Sequence, residues 1–340
     1  MRNLLFVFSV LSISMTIHAQ NQPPEAQISN GVITAKLYLP DTTTGYYRGT
    51  RFDWSGVIHS LTYQGHEYYG PWYTKTAPGI HDFVFDGPDI VAGPCSAIPG
   101  PVDEFLTEGK ALGYDEAKAG GTFIKIGIGV LRKPDDSQYD HYRLYPVADP
   151  GKWSVHRKAD SVEFTQEVAD ASSGYAYLYT KSVRLLPGKS EMEIAHSLKN
   201  TGRKTIHSSV YNHNFLVLKP LPIGPNFTIT VPFQIQTSRP LDSHLAEIRG
   251  NRFHYKKALA GNETVSASFQ GFGNKAADYR ITIENEAAQA GVTITADRPL
   301  SREELWSIRS ILAMEPFIDM TIEPGKSFSW KYHYAYFTTK

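Results

Sequence analysis

The run Glu193-Ile-Ala-His-Ser-Leu-Lys-Asn200-Thr-Gly202, followed by Ser208-Ser-Val-Tyr211-Asn-His213-Asn-Phe-Leu216, alternates apolar and polar side chains on either side of an Asn-Thr-Gly turn. Period-two alternation marks β-strands, because successive side chains point to opposite faces. In the second run Tyr211, His213 and Phe215 share one face, and Asn212 and Asn214 share the other. A His between aromatics on a strand is by default a satisfied core residue. The alternative is a general acid, since imidazole titrates near neutral pH and can donate a proton in place.

The same pattern extends outward in both directions. Val32-Ile-Thr-Ala-Lys-Leu-Tyr-Leu39, Ser161-Val-Glu-Phe-Thr-Gln-Glu-Val168, Tyr175-Ala-Tyr-Leu-Tyr-Thr-Lys-Ser-Val183, Tyr279-Arg-Ile-Thr-Ile-Glu284 and Val292-Thr-Ile-Thr-Ala296 all read as strands rich in β-branched and aromatic residues. Pro-Gly, Asn-Thr-Gly and Gly-Asn turns between them predict an all-β antiparallel sandwich or barrel. Helical periodicity is scarce. Pro299-Leu-Ser-Arg-Glu-Glu-Leu-Trp306, with Ser301 as N-cap and Glu304 three residues on, predicts one short helix. No repeat of solenoid or propeller period and no low-complexity linker interrupts the chain, so one domain is expected over residues 20–340. Within it, residues 70–101 form a long Gly/Pro-rich excursion, of the kind that builds a functional wall.

Residues 1–19 read as a secretory signal peptide. Arg2 supplies the positive end, Leu4 to Ile17 a short apolar stretch, and Ala19 a small residue before the expected cleavage. No Cys follows that stretch to carry a lipid, and no later segment is long and apolar enough to span a bilayer. A soluble protein exported to the periplasm or beyond is expected. Lys plus Arg (34) equals Asp plus Glu (34), which argues against nucleic acid or an anionic membrane surface as partner. The only Cys, Cys95, has no internal disulfide partner and reads as a loop thiol, so stability has to come from a large core.

Four places could carry chemistry. In Ile311-Leu-Ala-Met-Glu315-Pro-Phe-Ile-Asp319 a single carboxylate sits in an otherwise apolar run. Burying it is costly unless it is paired. Glu315 is therefore either tied down by donors or held ready as a base. In Tyr46-Tyr-Arg-Gly-Thr-Arg51-Phe-Asp53-Trp54, arginine forks and aromatic faces suit the hydroxyl edges and apolar faces of a pyranose, with Arg51, Asp53 and Trp54 as candidates. A solvated turn with a structural Arg–Asp pair is the other reading. His81, beside Asp82, and Glu104, beside Asp103, are candidate substrate contacts; no His-x-x-x-His or Glu-x-x-His cluster suggests a metal there. The fourth is His213. No Gly-x-Ser-x-Gly elbow, P-loop or dinucleotide fingerprint supports serine, phosphate or nicotinamide chemistry.

Two of these runs carry a resemblance. Residues 200–218, NTGRKTIHSSVYNHNFLVL, and residues 311–337, ILAMEPFIDMTIEPGKSFSWKYHYAYF, resemble the galactose mutarotase (aldose 1-epimerase) superfamily. The resemblance implies a large antiparallel β-sandwich, the supersandwich of that superfamily, and acid-base mutarotation of a free mono- or oligosaccharide without metal or organic cofactor. It puts the general acid at His213, the general base at Glu315 and a sugar-binding arginine at Arg51. The same scaffold also serves non-catalytic carbohydrate binding and glycan-processing isomerases, lyases and hydrolases.

Overall fold

The structure, a computed structural model, describes residues 22–218 and 221–339. The proposed signal peptide lies outside them. Among the described residues there is no α-helix, only one three-residue 3-10 turn at Ala276–Asp278.

Two large antiparallel sheets face each other. The ten-stranded sheet runs in the order Lys152–Arg157, Ser161–Ala169, Ala176–Leu185, Glu191–Asn200, Ser327–Thr338, Ala290–Ala296, Arg280–Asn285, Phe227–Thr230, Arg252–Tyr255, Ala246–Arg249. The six-stranded sheet runs Gln236–Thr237, Thr264–Gln270, Arg302–Ile308, Ile311–Ile322, Ile206–Leu216, Gly100–Leu106. Between them lies an apolar core that includes Val210, Met314 and Ile318 from the smaller sheet and Ile194, Tyr332 and Tyr334 from the larger. Every strand proposed from alternation forms, within a residue or two at its ends.

The ten-stranded sheet alternates buried and half-buried residues along most strands, as a sheet with one wet face should. In the six-stranded sheet Thr264–Gln270 and Arg302–Ile308 alternate too, but the other end of the sheet does not. From Val210 to Leu216, and throughout Gly100–Leu106, every residue is buried. Its outer face is covered by a second apolar cluster, in which Phe52, Trp54, Trp72 and Ile98 from loops pack on Tyr211, Phe215 and Phe317 of the sheet. The excursion at residues 70–101 supplies part of this cover and carries a small sheet of its own, Lys75–Thr76, Phe83–Asp86 and Asp89–Ala92. Where it rejoins the main sheet, Gly100 has φ 75°, and a Cβ there would lie 1.8 Å from the Ile58 carbonyl oxygen. Only glycine fits.

The short helix predicted at 299–306 is not formed. Residues Arg302–Ile308 are a strand, paired on one side with Thr264–Gln270 and on the other with Ile311–Ile322. Ser301 caps nothing; its hydroxyl donates to Asp319 at 2.8 Å. Two flanking ladders outweigh a local capping signal worth about 1 kcal/mol.

Candidate active site

The site is built on three neighbouring strands of the six-stranded sheet. On Ile206–Leu216 the side chains of Tyr211, His213 and Phe215 point outward, away from the other sheet. On Ile311–Ile322 the odd positions, Ala313, Glu315 and Phe317, do the same. On Arg302–Ile308 the even positions Arg302, Glu304 and Trp306 join them. Together they floor a cleft of ≈ 310 Å³, walled by Arg51, Trp72, Asp82, Ser96, His141 and Tyr142 from the loops.

His213 Nε2 lies 3.2 Å from Glu315 Oε1 at the floor of this cleft. The strand ladder is interrupted at this point. Pairing runs from Ile206↔Ile322 to Tyr211↔Phe317 and resumes only at Asn214↔Met314. The gap coincides with Pro316, which has no N–H to donate. Asn214 bridges it, its Nδ2 donating to the Met314 carbonyl at 3.0 Å and the Asn212 carbonyl at 2.9 Å. On the inner face the Tyr334 hydroxyl donates to Asn214 Oδ1 at 2.8 Å and also to Asn212, tying the His213 strand to the opposite sheet.

The imidazole of His213 stacks on Phe215, with centroids 3.6 Å apart, and meets Phe52 and Trp306 edge-on. Burial, with the Arg51 guanidinium adding to it, holds its pKa well below the ordinary histidine value. Glu315 is pushed the other way. Burial raises its carboxyl to about 8, against the pull of Arg51. The 16% of its side chain that stays exposed faces the cleft, where solvent moderates the rise.

Arg51 is held rigidly. Its Nε donates to Glu104 at 2.8 Å and its Nη2 to the Tyr211 hydroxyl at 3.0 Å, while the guanidinium lies against the Phe52 and Tyr142 rings. Glu104 is fully buried behind the cleft rather than lining it. It accepts from Arg51, from Lys125 Nζ at 2.9 Å and from the Tyr211 hydroxyl, with His141 Nδ1 at 3.4 Å. Burial alone would raise this carboxyl, but the Lys125 and Arg51 cations hold it well below the usual range. One carboxylate thus orients three side chains that face the cleft.

The other sequence candidates lie elsewhere. Asp53 is buried and bound by the Ser55 amide, the Tyr179 hydroxyl at 3.0 Å and Lys181 at 3.3 Å, so its oxygens are spent inside the fold. The Trp54 indole donates to the Gly49 carbonyl at 2.8 Å and lines a separate groove. Neither lines the cleft: the chain bends at Arg51 and Phe52, and of this run only the Arg51 side chain faces it. His81 sits at the periphery, paired with Asp140 at 2.6 Å and resting against Tyr142, while its neighbour Asp82 lines the cleft. Cys95 is buried in the loop wall. Among the described residues no three His, Cys, Asp or Glu side chains converge as metal ligands would. Sequence reasoning missed Trp72, Tyr142, Arg302, Glu304 and Trp306; for the last three the signal was the alternation in Arg-Glu-Glu-Leu-Trp-Ser-Ile, which a helix reading obscured.

Comparison with solved structures defines the class of fold. The chain is similar to a galactose mutarotase-like protein from Lactobacillus casei, with 15% identity, TM-score 0.52 and coverage of 92% of this chain and 100% of that one. It is similar to a GalM/aldose epimerase homologue from C. elegans, with 12% identity, TM-score 0.53 and coverage of 94% and 100%. A galactose mutarotase-like protein from Clostridium acetobutylicum gives 13%, 0.51, 93% and 95%. No protein-family model and no curated protein matches the sequence. The fold is that of the galactose mutarotase-like proteins, at a sequence distance where likeness speaks for architecture alone.

Proposed function

We propose that this protein is a mutarotase-type catalyst, an aldose 1-epimerase-like isomerase that opens and recloses a free mono- or oligosaccharide by acid-base chemistry. The observation that carries this is the 3.2 Å approach of His213 Nε2 to Glu315 Oε1 in an aromatic-walled cleft. In a pyranose the ring oxygen and the anomeric hydroxyl share one carbon. Two proton-transfer groups side by side can therefore reach both oxygens at once. One member of the pair takes the proton from the anomeric hydroxyl while the other gives one to the ring oxygen. The C1–O5 bond breaks, the open aldehyde turns about C1–C2, and reclosure in the reverse sense gives the other anomer. Their opposite pKa shifts support a shared task, since acid and base need differently tuned environments. Arg51 and the aromatic walls would hold the sugar's edges and faces. Removal of residues 1–19 on export would place the encounter with free sugar outside the cytoplasm, which mass spectrometry of the secreted chain would test.

Polarimetry over a panel of free aldoses tests the proposal. Each of Glu315→Gln and His213→Asn is expected to lower catalysed mutarotation by on the order of 10²–10⁴-fold while the circular dichroism spectrum is unchanged. Sugar binding by calorimetry without any anomerisation in the wild type would leave a carbohydrate-binding protein instead; new reducing ends or unsaturated products would point to a hydrolase or lyase.

A further inference from the structure

We infer that Asn214 is a positioning residue for the proton-transfer pair. Its carboxamide stands in for a ladder hydrogen bond that Pro316 cannot make, and the Tyr334 hydroxyl of the opposite sheet holds it in place. Together they set the spacing of His213 and Glu315. The inference rests on the mutarotase reading for the reaction that this spacing serves, and on geometry alone for the spacing itself.

The two strands that carry the pair keep one register on both sides of the break. Tyr211 pairs with Phe317 before it and Asn214 with Met314 after it, so Asn212 stands opposite Pro316 and His213 opposite Glu315. Backbone hydrogen bonds normally hold neighbouring strands about 4.7–4.9 Å apart. Here that constraint lapses at the residues whose side chains approach to 3.2 Å. On its other side the His213 strand stays paired with Gly100–Leu106 without interruption, so the spacing toward Glu315 is the one left open. Pro316 has no N–H for the strand that faces it, and a carbonyl left unmet in a fully buried stretch is costly.

Asn214 closes this opening. It is 2% exposed, and its Nδ2 spends both protons on the backbone. One goes to the Asn212 carbonyl at 2.9 Å and the other to the Met314 carbonyl at 3.0 Å. The residue before His213 is thereby clasped to the residue before Glu315. Asn214 Oδ1 accepts from the Tyr334 hydroxyl at 2.8 Å. Only one orientation of the amide fits, because the flipped group would aim its oxygen at two carbonyl oxygens. Tyr334 is fully buried on Ser327–Thr338 of the ten-stranded sheet. It also donates to Asn212 Oδ1, whose own Nδ2 donates to Asp103 at 3.1 Å. The clasp is therefore anchored in the far sheet as well as in its own two strands.

The consequence for chemistry is selective. A misplacement of about 1 Å between reacting groups can cost on the order of 10²-fold in rate. Sugar binding draws instead on Arg51 and the aromatic walls, which the clasp does not touch. Loosening it should act on kcat and spare KM.

The test uses the full chain. Asn214→Leu keeps the bulk and removes all three bonds. It is expected to lower kcat for aldose mutarotation by about 10–100-fold with KM within about twofold of wild type. In sugar-free crystals it is expected to move His213 Nε2 out of hydrogen-bond reach of Glu315. Ile229→Ala, a core truncation that does not line the cleft, controls for lost stability alone and is expected to lower Tm with kcat unchanged. Pro316→Ala returns the missing N–H, so the double variant Asn214→Leu/Pro316→Ala is expected to recover most of the lost kcat. Where Asn214→Leu does not fold, Tyr334→Phe carries the test, with kcat expected to fall by about three- to tenfold at unchanged KM. Unchanged kcat and an unchanged His213–Glu315 separation in the folded variant would overturn the inference, as would a double variant no more active than Asn214→Leu. A wild type that turns over no aldose would sink the mutarotase reading instead, and the separation seen in the crystals would still decide this inference.

Discussion

Three glutamates, two buried and one at the floor of the cleft, show how one residue type takes different roles according to its partners. Glu104 is ionised and saturated, Glu303 is sealed in the core without a partner, and Glu315 faces a cleft beside one imidazole. Because Glu104 compensates both Arg51 and Lys125, Glu104→Gln would leave two buried cations sharing a neutral amide. Removing one partner of a buried pair is strongly destabilising, so a loss of about 3–5 kcal/mol is expected in urea unfolding. The candidate pair itself was legible in the sequence because each member broke a pattern: Glu315 an apolar run, His213 an aromatic face. The role of Glu104 was not. Its partners lie 53, 21 and 107 positions away, and no local spacing announces them.

Elements were easiest to read where alternation was long and clean, as in Ser161–Ala169 and Glu191–Asn200. Arg302–Ile308 was misread because its outward face is polar and aromatic: Arg302, Glu304 and Trp306 all look into the cleft. Its inward face, with Glu303, Leu305 and Ser307, is also mixed, so neither face showed the apolar stripe of an ordinary strand. Trp306 presents its indole beside His213 and Phe215, where a sugar's apolar face would stack. Trp306→Ala is expected to raise KM roughly fivefold with kcat little changed, the loss of about 1 kcal/mol of aromatic contact. A fall in kcat alone would instead show that the indole positions the proton-transfer pair.

At the scale of the whole molecule, the apolar core between the two sheets also holds a set of buried charged groups. Asp103 and Lys181 pair at 2.8 Å and His196 approaches Asp103 at 3.1 Å, all fully buried. In the same layer Glu303 has no partner for either oxygen, and burial pushes its carboxyl from 4.5 to about 8. Between those two values the unfolded chain is ionised while the folded chain still holds the proton, so the folded state binds more protons and stability falls as pH rises. The loss begins near pH 4.5 and is complete just above pH 8. Glu303→Gln should reduce that slope, leaving the share that Glu315 contributes over the same window, with a Tm that gains on the wild type across it and matches it near pH 4; an unchanged slope would mean that Glu303 finds a partner in solution.

The cleft floor belongs to the sheet, and its rim belongs to loops at residues 46–52, 70–98 and 139–145. These two materials age differently under mutation. Strand positions such as Asn212 and Asn214 answer to both the proton-transfer pair and the opposite sheet, so they tolerate little. Rim positions answer mainly to whatever occupies the cleft. If the cleft takes a sugar as proposed, lineages of this scaffold can drift from sugar to sugar by exchanging loop sequence while the residues beneath stand still, and swapping rim loops between relatives is the natural route to redirecting it.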